Sequence, residues 1–104
     1  MAVDRQEYQI SQRKLPRPFA MHWGTGLITE EAGFVGEWHE PCVQLLEYTE
    51  GEAAGSATIR FCYYSLDGRF QRSPLMLGED EIDGLREALR GAPKLRELLR
   101  RLAE

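Results

Sequence analysis

The sequence predicts an α+β domain: a four- to five-stranded antiparallel sheet followed by two short C-terminal helices packed on one of its faces. Three observations point there. Asp67-Gly68 lies between two β-rich runs, 57–65 and 69–77, where hairpin turn chemistry belongs. Beyond Gly78 the apolar spacing changes from two to 3.6. Gly91 and Pro93 then punctuate two helical stretches, the glycine ending one and the proline opening the next.

With 104 residues, 42% of them hydrophobic and 29% charged, the chain suits one ordered domain that buries roughly 60–70% of its unfolded surface. The first eighteen residues are polar and end in Leu15-Pro16-Arg17-Pro18, whose prolines favour an extended path, so 1–18 reads as a flexible arm and 19–104 as the domain. From Phe19 to Glu40 two strands are expected. Met21, Trp23, Thr25 and Leu27 share one parity, Thr29-Glu30-Glu31-Ala32-Gly33 is the break, and Phe34, Val35 and Trp38 follow it. Gly24, Gly26 and Gly36 weaken these strands or mark bulges.

Pro41 opens a cleaner strand over 42–49, apolar on both parities as expected of a strand covered on both faces or central in its sheet. Residues 50–56 form a loop. At the Asp67-Gly68 hairpin, a three-residue turn with a glycine bulge pairs Ser65 with Arg69 and sets Ile59 opposite Leu75, placing Ile59, Phe61, Leu75 and Leu77 on one face. A two-residue turn, pairing Leu66 with Arg69, is the other register. Pro74 makes the second strand an edge or a bulged strand. Ile82, Leu85 and Leu89 make the stripe of the first helix, with acidic residues at its start. Leu95, Leu98, Leu99 and Leu102 make that of the second, a row that needs a partner because each buried leucine contributes roughly 1.5–3 kcal/mol.

Charge is distributed unevenly. Residues 1–19 carry +2, 20–55 carry seven acids and no Lys or Arg, 56–77 carry +2 and 78–104 carry −1, giving the net −4. The acidic middle would repel phosphate. No window approaches the ~20 apolar residues of a membrane helix, and the first residues lack a signal peptide's apolar centre, so no membrane partner and a cytoplasmic location are expected. Cys42 and Cys62 are then reduced thiols.

No constellation specifies a reaction, and no cofactor is expected. His39 and Cys42, with Cys62 and His22, are the candidate zinc ligands, but one His-x-x-Cys pair and two scattered singles fall short of the two close pairs a structural zinc usually takes. A Cys42–His39 dyad lacks an orienting group and an oxyanion site. Gly24-Thr25-Gly26 lacks the rest of a phosphate loop. Aromatic residues are more suggestive: Trp23, Trp38, Tyr48, Phe61, Tyr63, Tyr64 and Phe70 exceed what one face of such a sheet buries, so part of them is expected outside, beside Arg60, Arg69 and Arg72.

From Arg60 to Leu89 the order of strand, Asp-Gly turn, strand through Arg72-Ser73-Pro74-Leu75-Met76-Leu77, and acidic-capped helix resembles the last hairpin and helix of PC4-like and PUR-type single-stranded nucleic-acid-binding domains. The chain departs from that pattern in Pro74 and in its acidic middle. The resemblance implies strands preceding a helix, a module that commonly dimerises, and a nucleic-acid face.

The leading expectation is a non-enzymatic binding or regulatory module acting through its sheet face or C-terminal helix, on a protein partner or on itself as a homodimer. The alternative is single-stranded nucleic-acid binding by Arg60, Tyr64, Arg69, Phe70 and Arg72.

Overall fold

The computed structural model describes residues 8–71 and 74–104. Five strands, β1 (Arg17–Met21), β2 (Gly24–Gly33), β3 (Glu40–Gly51), β4 (Ala57–Tyr64) and β5 (Leu75–Gly78), form one antiparallel sheet in sequence order. Two helices follow, α1 (Ile82–Ala88) and α2 (Pro93–Ala103), each preceded by a single 3-10 turn. The expected fold class is the one observed. The β3 strand is central, and its burial alternates, with Cys42, Gln44, Leu46 and Tyr48 inside and Val43 and Leu45 half covered. Apolar residues on both parities thus mark a strand with two apolar faces.

The sheet begins two residues before the expected start, since Arg17 and Pro18 already pair with Ile28 and Leu27. Of the expected arm, 1–7 lie outside the described residues. The part after it is tied down: the Ser11 amide donates to the Gly33 carbonyl at 2.9 Å, and Val35 donates to Gln9 at 2.8 Å.

One turn is elsewhere than expected. The first hairpin closes at His22-Trp23, and Thr29 to Gly33 continue β2 rather than break it. The register shift at Ile28/Glu30 is the reason, because Thr29 is an extra residue in β2 that moves its inward parity by one and scrambles the period-two signal, whereas the shift at Thr25/Gly26 places its extra residue, Thr49, in β3. Gly26 is required there by contact: a Cβ would stand 2.0 Å from the Glu47 carbonyl oxygen across the ladder.

The β4–β5 hairpin has the three-residue turn. The Ser65 amide donates to Arg69 at 2.8 Å and Gly68 donates back to Ser65 at 2.9 Å, with Gly68 at φ 93. Further along, however, Ile59 pairs with Leu77 and Phe61 with Leu75. The expected Ile59–Leu75 pairing is displaced by two residues, taken up around Pro74, which has no N–H for the ladder. A slip of two preserves parity, so these four residues share a face as anticipated. Gly68→Ala is expected to destabilise the domain by about 1–2 kcal/mol, read as a lower urea midpoint, through backbone conformation alone. No atom lies within 4 Å of the added carbon.

Candidate functional site

The two faces of the sheet differ in kind. The first carries the core of Phe19, Ile28, Leu46 and Tyr48, and beyond it a second buried cluster of Cys42, Cys62 and Tyr64. Between and around these runs a polar network closed by the N-terminal segment. Arg13 donates twice to the Glu40 carboxylate, at 2.8 and 2.7 Å, with its guanidinium 3.7 Å above the Tyr64 ring. Arg17 donates to both oxygens of Glu31, at 3.2 and 2.8 Å, and to the Tyr64 hydroxyl at 3.2 Å. Gln44, 1% exposed, donates to Glu31 and Tyr64 and accepts from Arg60 Nε at 2.7 Å. Arg60 in turn lies 4.6 Å from the Phe70 ring centre. Among the described residues, no buried side-chain nitrogen or oxygen is left without a partner.

That satisfaction fixes the electrostatics. Burial alone would push the Glu31 carboxyl up, but hydrogen bonds from Arg17 and Gln44, helped by the charges of Arg17 and Arg13, hold it below its ordinary value. Hydrogen bonds from Arg13 hold Glu40 low against its burial. The Cys42 thiol is pushed up to about 11 by burial, with the Glu31 charge adding, and burial raises Cys62 as well. These thiols stay protonated at neutral pH and are poor nucleophiles, while the two carboxylates are locked in ion pairs.

The opposite face is apolar and open. Val43, Leu45, Ile59, Phe61 and Leu77 are half covered there, and Leu75 is exposed. Along it runs a groove of about 800 Å³, lined by Phe34, Val43, Phe61, Tyr63, Leu75 and, from α2, Leu102. Nearer α1, Ile82 lines a second cleft together with Leu45 and Ile59. The helices therefore lie on this side without sealing it, and neither contains a buried residue. Leu95, Leu98 and Leu102 remain 50%, 56% and 69% exposed. Among the described residues, Leu102 lines the groove and Leu99 is half covered, but nothing buries the leucine row as a whole.

No protein-family model, curated protein or solved structure matches this chain. Its surfaces must speak for themselves.

The residues singled out in the sequence fall in different places. Arg60 and Tyr64 are buried on the first face, bonded to Gln44 and, for Tyr64, also to Arg17. Phe70 stacks edge-on against Tyr64 at 5.5 Å and stays partly exposed. Arg69 is on the surface beside Asp67, and Arg72 lies outside the described residues. Cys42 is buried on the first face, whereas His39 is exposed against the Tyr63 ring. Among the described residues no three His, Cys, Asp or Glu groups gather to hold a metal ion, and no helix is long and apolar enough to cross a membrane.

Sequence reasoning missed Arg13, Arg17, Glu31, Glu40 and Gln44. Gln44 alone left a trace, a polar residue between the apolar pairs Cys42-Val43 and Leu45-Leu46.

Proposed function

We propose that this chain is a small non-enzymatic binding module whose working surface is the open sheet face together with the leucine row of α2, and whose ligand is an apolar protein surface. One observation carries the reading: a single small domain leaves both an apolar groove and an amphipathic helix uncovered. Contiguous apolar surface of this kind marks an interaction site rather than ordinary exposed hydrophobes. The other face supports the same conclusion, since its polar groups are consumed by the N-terminal segment.

The neutral dye Nile red tests the groove. In the Leu98→Glu chain, where the helix row is disabled and the groove kept, dye fluorescence should rise on binding, and adding Leu75→Glu should abolish it with the circular dichroism unchanged. No dye binding by Leu98→Glu would remove the reading.

A second reading, suggested by the likeness to PC4-like domains, is single-stranded nucleic-acid binding at the β4–β5 hairpin. It draws on the partly exposed Phe70 ring beside Arg60, with Arg69 at the surface. A labelled oligonucleotide separates the two: the first predicts no binding at low or high salt, the second an affinity that falls steeply as salt rises.

A further inference from the structure

Resting on the protein-binding reading of the open face, we infer that what covers it is a second copy of this chain, with α2 of each copy laid across the groove of the other in a twofold dimer. Three features of the molecule choose this occupant.

The first is that one chain offers both halves of the contact. An amphipathic helix and an apolar groove are complementary surfaces, and helix-in-groove docking reads its ligand through residues at i, i+3, i+4 and i+7. Leu95, Leu98, Leu99 and Leu102 have that spacing. Within one copy only Leu102 reaches the groove. A twofold arrangement uses each surface once on each copy and leaves neither open, which is how an isologous interface closes.

Charge is the second feature. Along α2, Lys94 and Arg101 flank one edge of the leucine row and Arg96 the other, all exposed, while Arg100 on the opposite side is already paired with Glu97 and Glu104. The sheet it would cross comes largely from residues 20–55, which hold seven acids and no Lys or Arg. Glu30 and Glu47 are exposed on β2 and β3 beside the open face, and Arg60 of β4 is turned to the other one. Among the described residues the groove has no acid in its lining, whereas Glu47 lines the second cleft of the same face, so a basic-edged helix laid along the face meets acidic charge at that end, an arrangement that favours this docking over a stack of two acidic sheets.

The third feature is area. The chain exposes 8020 Å², against roughly 6,000 Å² for a folded monomer of its mass. Its radius of gyration is 15.5 Å, where about 13 Å is usual. The excess of about 2,000 Å² is more than twice the roughly 800 Å² that each partner buries in a standard interface.

Sedimentation equilibrium on the full chain, from micromolar to submillimolar concentration, should give twice the 11.9 kDa chain mass. Leu98→Glu and Leu75→Glu should each weaken the dimer at least about thirtyfold. Both positions are more than half exposed in one copy, so the folded monomer should tolerate them. Tyr63→Glu serves as a second groove variant if Leu75→Glu disturbs the edge strand.

Mixing the two variants is decisive for the geometry. One helix-in-groove contact survives in the mixed pair, so Leu98→Glu and Leu75→Glu should associate with each other while each alone stays monomeric. Folded variants that do not associate when mixed, or a dimer indifferent to Leu98→Glu, would overturn the arrangement. A monomeric wild type whose Leu98→Glu form still binds Nile red would discard the second copy and keep the binding module. A monomer without dye binding would discard both.

Discussion

Glu31→Ala is expected to cost the domain about 3–5 kcal/mol, a large part of the 5–15 kcal/mol by which such domains are stable. The Glu31 side chain is 3% exposed and accepts from Arg17 and Gln44. Its removal leaves a part-buried guanidinium and a buried amide facing a void, and the penalty is that of stranding those groups rather than of losing one attraction. Guanidinium unfolding followed by circular dichroism would measure it, and a loss under about 1 kcal/mol would show that water replaces the carboxylate at no cost. Acid should act through the same residues. Glu31 and Glu40 are both held below the ordinary glutamate value of 4.5. Their contribution is therefore complete above that value and is lost as pH falls through their lowered folded values. Stability measured from neutral pH downward should decline below about pH 4.5, with a shallower decline in the Glu31→Ala chain.

Leu46→Ala is expected to cost about 2–5 kcal/mol, the range for a buried leucine that leaves a cavity its neighbours only partly fill. Leu46 is 0% exposed in the central strand and belongs with Phe19, Ile28 and Tyr48. Leu98→Ala provides the comparison. That leucine is 56% exposed, so in a dissociated chain its loss should change stability by no more than about 0.5 kcal/mol. Equal effects of the two substitutions would mean that the sheet does not hold the core described above.

The features legible in the sequence were those written in neighbouring residues. Asp67-Gly68 announced its turn, Gly91 and Pro93 bracketed the break between helices, and 42–49 declared a central strand by being apolar on both parities. The β2 strand hides its length because the bulge at Thr29 resets its parity, so a hairpin closing at His22-Trp23 looks like one closing near Gly33. The two-residue displacement beyond Gln71 was equally hidden, since a slip of two leaves every side chain on the face that periodicity assigns. The polar network was invisible for a different reason: Arg13 and Arg17 stand in a stretch without period, and their partners are two glutamates among seven in the acidic middle. Periodicity also says that one side of α2 is apolar without saying what lies against it, so the uncovered groove emerged only from the fold.

Because the strands lie side by side in the order in which they occur along the chain, a ribosome releases them already beside their neighbours. The residues of both buried clusters have all been made once Tyr64 has been added. A nascent chain can zip hairpin upon hairpin with short loop closures, the kind of wiring that folds fast for a β protein. The helices arrive afterwards, onto a scaffold whose interior is complete. The leucine row of α2 is thereby separated in time, as well as in space, from the residues that make the chain fold.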